Sequence, residues 1–152
     1  MTGGSIKSAR HGQSRTQAFF DFMQARGLPV EPAWLFEQVH TATEGQTLGR
    51  QIAALAPAKR PDAIFTNSDE VAVGVVDSLV SANIAVPDDI AVMGYDDQPF
   101  APFARVPLTT VHQPVAEMAQ VATDLLLAGL GRGEPAVAPE PLTLTLKIRQ
   151  SA

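Results

Sequence analysis

The chain contains no cysteine, which removes disulfide frameworks, thiolate nucleophiles and cysteine-held zinc from consideration. It also lacks any apolar run approaching the roughly 20 residues that a membrane helix requires. The opening Met1-Thr-Gly-Gly-Ser-Ile-Lys7 has no apolar core of the kind a secretory signal carries. Either a cytoplasmic location without a membrane partner or a fragment whose true beginning is missing is the resulting expectation. Positive charge is not in excess: 11 Lys and Arg against 16 Asp and Glu give a formal charge of −5. Such a balance disfavours this segment as a nucleic-acid surface by itself. No phosphate-cradling glycine loop or dinucleotide fingerprint is present, so no cofactor is expected. His11, His40 and His112 show no metal-ligand spacing, so no metal site is expected either.

What is present suits a globular lobe. At 152 residues and 45% hydrophobic content, the chain has material for one core. Helical spacing over 8–26 puts Ala18, Phe19, Phe22 and Met23 on one face, and Gly27-Leu-Pro29 stops it. These aromatic and methionine positions, with Met118, are expected in the core. Residues 35–39 read as a strand. Thr43 is placed to cap a helix bearing Leu48, Ile52 and Leu55. A strand over 63–66 leads to Ser68 or Asp69 as the cap of a helix carrying Val71, Val75 and Leu79. Residues 90–93 form the next strand, and 94–106 read as a loop containing Pro99 and Pro102. A short extended piece at 109–111 precedes a helix over 115–130. A Gly/Pro-rich connector over 131–141 and an alternating strand over 142–148 complete the chain.

Alternating strands and helices predict an α/β fold with a mainly parallel sheet and helices on both faces. Ligands in such sheets bind beyond the carboxyl ends of the strands. Ser68, Asp69, Tyr95, Asp96 and Asp97 all fall there. Asp96 is a strong acceptor for two hydroxyls of a polyol. Adjacent carboxylates also serve acid–base or metal chemistry, but no nucleophile or second ligand set accompanies them, so no catalytic residue is assigned.

Three blocks carry a resemblance: Phe65-Thr-Asn-Ser-Asp-Glu-Val-Ala-Val-Gly74, Pro87-Asp-Asp-Ile-Ala-Val-Met-Gly-Tyr-Asp-Asp97 and Pro107-Leu-Thr-Thr-Val-His-Gln-Pro114. In this order they resemble the effector-sensing region of the lactose/galactose-repressor family of bacterial transcription regulators. The resemblance implies the C-terminal lobe of a two-lobe fold like that of periplasmic sugar-binding proteins, with the helix over 115–130 crossing to the other lobe. It further implies that residues 1–152 are a partial sensing domain. The DNA-binding headpiece and most of the N-terminal lobe would be absent, and Thr2-Gly3-Gly4 would be the turn after a strand lying upstream.

Carried over position by position, the resemblance implies that Arg15, His40, Ser68, Asp69, Asp96 and Gln113 contact a small effector, a sugar or related metabolite. It implies a homodimer through the C-terminal lobe, to which Val71, Val75, Val76 and Leu79 offer some contacts. Operator DNA would be a partner only through the headpiece. Two positions depart from the family pattern: Ala18 replaces a glycine, and Ser68 replaces an asparagine. The shorter Ser68 leaves the effector's identity open. A periplasmic transport component and a sugar-processing α/β enzyme are the alternatives.

Overall fold

The computed structural model describes residues 2–3, 10–133 and 140–152. Gly4, residues 8–9, the His11 side chain and most of the connector 131–141 lie outside the described residues, and with them parts of the predicted turn, helix and linker. The elements run β1 (Thr2–Gly3), α1 (Arg10–Ala25), β2 (Phe36–Glu37), α2 (Ala42–Ala53), β3 (Ala63–Phe65), α3 (Asp69–Ser81), β4 (Ala91–Asp96), β5 (Thr109–His112), α4 (Val115–Gly129) and β6 (Thr145–Lys147). β1 and β2 pair in parallel. The larger sheet has the order β3-β4-β5-β6, parallel through β5 and antiparallel at β6. No helix among the described residues is long and apolar enough to cross a membrane.

Local chemistry explains most boundaries. α2 starts at Thr41, not Thr43: the Thr41 hydroxyl accepts from the Glu44 N–H at 3.3 Å, and the Glu44 carboxylate accepts from the Thr41 N–H at 3.0 Å. This reciprocal box satisfies two orphan donors at the helix start. A further bond from the His40 N–H, followed by those from Thr41, holds the Glu44 carboxyl below its ordinary range. The predicted strand over 35–39 contracts to two residues. Leu35 is drawn into the preceding turn through its N–H to the Pro32 carbonyl, and Gln38 leaves extended geometry at φ 62°. In the other direction, β4 continues three residues past Met93. Tyr95 and Asp96 pair with Val111 and His112 of β5, and that pairing carries the strand to its last residue.

The core lies between the sheet and the α2–α3 pair. Leu48 and Ile52 from α2 meet Val71, Ala72, Val75, Val76 and Leu79 from α3, with Ile64, Val92, Ile90 and Leu108 from the sheet side. Val71, Val75, Val76 and Leu79 are at most 1% exposed, so the internal core takes all four and leaves none for an intersubunit surface. Each such side chain stabilises the fold by about 1.5–3 kcal/mol through area removed from water. The two helices approach closely because Gly45 and Gly49 on α2 and Gly74 on α3 lie where they meet, and a Cβ at any of them would strike the facing backbone. The Ser78 hydroxyl reinforces the crossing by donating to the Gln46 carbonyl at 2.9 Å.

Other positions expected in the core are more open. Phe22 is 57% and Met118 is 42% exposed, while Phe19 and Met23 are half-buried. α4 has no buried residue, because the sheet and the α2–α3 pair complete their core without it. β6 is shorter than the alternating stretch and exposed along its length. After Ile148 the chain turns inward, and the Arg149 N–H reaches the Thr109 hydroxyl at 2.9 Å.

Candidate functional site

Because β3, β4 and β5 run in the same direction, their carboxyl ends lie on the same side of the sheet: Met93 is level with Phe65 at the end of β3, and Asp96 is level with His112 at the end of β5. Each strand hands over to a polar segment there: Asn67 and Ser68 after β3, Asp97 and Gln98 after β4, Gln113 after β5. Five of the six sequence-predicted residues line this side in two groups.

The first group surrounds Asp96. Its Oδ1 accepts from the Gln113 side-chain amide at 2.5 Å. The Arg15 guanidinium from α1 stacks over the Tyr95 ring, 4.6 Å from its centroid, a cation–π contact that fixes the charge one residue from Asp96. Burial pushes the Asp96 carboxyl above its ordinary range, against the opposing pull of the Gln113 bond and the Arg15 charge. Asp96 and Asp97 have φ of 112° and 55°. For side chains other than glycine such conformations cost on the order of 1–3 kcal/mol each, and they cluster where a site needs a special orientation.

The second group lies at the end of β3. The Ser68 hydroxyl accepts from the Val71 N–H at 3.3 Å, so Ser68 is the cap of α3. The exposed His40 places Nδ1 3.5 Å from the Asn67 side-chain amide, beside Ser68. β3 and β4 are hydrogen-bonded neighbours, so the two groups follow adjacent strands on the same side of the sheet.

Asp69 stands apart from the other five. It is 0% exposed, and both its oxygens are engaged inside the lobe. Oδ1 accepts from the Thr110 hydroxyl at 2.5 Å and Oδ2 from the Gln98 N–H at 2.7 Å. Expected among the ligand contacts, it instead ties the start of α3 to β5 and to the loop after β4. To reach Thr110 its carboxylate passes over Gly94, where a Cβ would collide with it. Burial raises the Asp69 carboxyl above its ordinary range, and the two hydrogen bonds work against that rise.

Asp97 is also held within the protein. Its Oδ1 accepts from Arg149 Nη2 at 2.6 Å, and its Oδ2 lies 3.0 Å from His112 Nδ1. Burial works to raise this carboxyl, but the Arg149 bond and charge, then His112, outweigh it and hold it below its ordinary range. A depressed folded-state value stabilises the fold above the unfolded pKa of about 3.9, and that contribution is lost as pH falls through the folded value. Asp97→Asn should therefore lower the unfolding free energy by about 1–3 kcal/mol at neutral pH. The deficit should shrink as the buffer is taken below about pH 4. Urea titrations of both chains across that range check it; a deficit that stays constant with pH would contradict it.

Sequence reasoning missed Tyr95 as the platform for Arg15, and Arg149 and His112 as partners of Asp97. The block Thr109-Thr-Val-His112 offered a signal for His112, which falls level with Asp96 once β4 and β5 pair. Among the described residues, no three His, Cys, Asp or Glu side chains form a cluster able to hold a metal ion. Hydroxyl-, guanidinium- and carboxylate-bearing side chains at these strand ends are equipped to hydrogen-bond a polyhydroxylated molecule.

Comparison with known proteins gives a consistent picture. The model of the periplasmic binding protein-like domain matches residues 2–152. The ribose operon repressor of Haemophilus influenzae is 35% identical over 127 residues, which is 84% of this chain and 37% of that protein. The repressor PurR of Photobacterium profundum is 32% identical over the same length. A LacI family transcriptional regulator from Lactobacillus casei, solved with bound sucrose, is 68% identical with a TM-score of 0.92, covering 99% of this chain and 55% of that one. The same regulator with bound glucose gives 69% identity and a TM-score of 0.89. The chain thus spans about a third of the curated relatives and about half of the solved ones.

Proposed function

Since the chain belongs to the periplasmic binding protein-like domain family, among the LacI-type regulators, we propose that it forms the C-terminal lobe of a sugar-sensing domain in a bacterial transcription regulator. The observation that carries this is the meeting of Arg15, Asp96 and Gln113 at the carboxyl ends of β4 and β5. Asp96 accepts hydroxyl hydrogen bonds, Arg15 donates to ring or hydroxyl oxygens, and Gln113 sets the carboxylate's orientation. Ser68 and His40 extend the contact toward the end of β3. A carboxylate at the centre disfavours phosphorylated sugars, so the effector is a neutral saccharide. The sucrose and glucose held by the L. casei relative support this class.

In this reading the site binds without turnover. α4 crosses toward a second lobe, and sugar held between the lobes changes their orientation. That change alters operator affinity in a cytoplasmic homodimer whose DNA contacts lie outside these residues. Coupling of this kind amounts to about 1–3 kcal/mol in typical cases.

Titrating glucose, sucrose and ribose at millimolar concentration into the 152-residue chain, followed by amide NMR, tests the site. Shifts should concentrate at Arg15, His40, Ser68, Asp96 and Gln113. Arg15→Ala and Asp96→Asn should each weaken binding by about 10- to 100-fold, the worth of a charge-assisted hydrogen bond. Binding unaffected by both substitutions, or shifts scattered elsewhere, would remove the proposal.

A further inference from the structure

We infer that Arg149 is a positioning residue for the sugar contact, acting on Asp96 through Asp97. The inference rests on the sugar-sensing proposal and names the segment that sets the geometry of that site. Asp96 and Asp97 are successive residues with positive φ, an arrangement that persists only where the surroundings enforce it. For Asp97 the enforcing groups come from two other segments. Arg149 Nη2 donates to Oδ1 at 2.6 Å, and His112 Nδ1 lies 3.0 Å from Oδ2.

Arg149 is itself immobilised. Its Nη1 donates to the Leu108 carbonyl at 2.7 Å, and its backbone N–H donates to the Thr109 hydroxyl at 2.9 Å. The Arg149 side chain is 19% exposed and that of Asp97 13%, so the pair is largely shielded from competing water. Arg149 thus clamps the turn after β4 to the start of β5. Asp96 sits one residue before the clamp, and its carboxylate meets Gln113 just beyond the end of β5. If Asp97 is released, the backbone that aims Asp96 is free to rotate out of its positive-φ conformation. A lysine cannot replace the arginine fully, because its single ammonium lacks the planar fork of donors that reaches the two acceptors from separate nitrogens.

The test uses Arg149→Met and Arg149→Lys in the same 152-residue chain, with far-UV circular dichroism to establish that each is folded. The ligand-independent readout is the Gln113 side-chain amide resonance, which reports its bond to Asp96. In Arg149→Met it should move toward the position of a free amide, and in Arg149→Lys only part of the way. Glucose and sucrose affinity should fall by about tenfold in Arg149→Met and fall no further when that change is added to Asp96→Asn. An unmoved Gln113 resonance in folded Arg149→Met overturns the inference. So does an equal further loss of affinity in the Asp96→Asn background, which marks general loosening. Should Arg149→Met fail to fold, Asp97→Ala removes the other end of the clamp and must move the same resonance. If the unaltered chain binds neither sugar, the sugar-sensing proposal fails, and the Gln113 resonance alone decides the role of Arg149.

Discussion

Replacing Gly74 by valine is expected to cost about 3 kcal/mol or more of unfolding free energy, a large share of the roughly 5–15 kcal/mol that holds a domain together. A Cβ at Gly74 would overlap the Ala42 carbonyl oxygen and come within 2.7 Å of the Gln46 nitrogen, both of them backbone. Flexible side chains can move aside, but two helix backbones can only separate. Separation here would open the part of the core that Leu48 and Ile52 share with Val75 and Leu79. Gly129→Ala, near the end of α4 where an added Cβ meets nothing within 4 Å, is the control and should change little. Urea unfolding followed by circular dichroism measures both. A Gly74→Val midpoint equal to that of the unaltered chain would refute the close-packed crossing.

The second large effect belongs to Asp69. Asp69→Ala leaves the buried Thr110 hydroxyl and the part-buried Gln98 N–H without their acceptor. Stranding two polar groups in this way costs about 2–4 kcal/mol. Its pH dependence runs opposite to that of Asp97. Burial raises the folded-state Asp69 value, so its linked stability is full below the unfolded carboxylate pKa and declines as pH rises through the folded value. The deficit of Asp69→Ala should therefore widen on acidification from neutral pH, whereas that of Asp97→Asn closes. A pair of urea series at matched pH separates the two. Parallel curves would mean that the carboxylates do not occupy the different surroundings described.

The elements easiest to read were those whose stability is local. β3 and α3 follow from a short apolar run, a capping serine and repeating Val71, Val75 and Leu79, and the structure differs there by a single strand residue. The end of β4 was hidden because Gly94-Tyr95-Asp96 has turn chemistry, and only pairing with β5 makes it a strand. The start of α2 carried its signal in Thr41-Ala-Thr-Glu44, but two threonines competed for the role and only backbone geometry chose between them. Gly45, Gly49 and Gly74 weaken a helix when read locally, and their use appears only when another helix is seen against them.

The site divides in the same way. Arg15 and Gln113 were implied by the family resemblance, and Asp96 by that resemblance and its place at a strand end; Arg15 meets Tyr95 and Gln113 meets Asp96. Whether a carboxylate turns outward or inward is decided by neighbours far along the chain. Asp69 is claimed by Thr110, 41 positions away, and Asp97 by Arg149, 52 positions away. No local pattern encodes those assignments.

The backbone at Asp96 has one more consequence. Glycine is at ease at a φ of 112° and aspartate is not, so durability and the proposed recognition role compete at this position. Selecting variants for heat resistance alone would drift toward glycine there, and each sturdier chain so obtained would lack the carboxylate to which the proposed sugar contact is assigned.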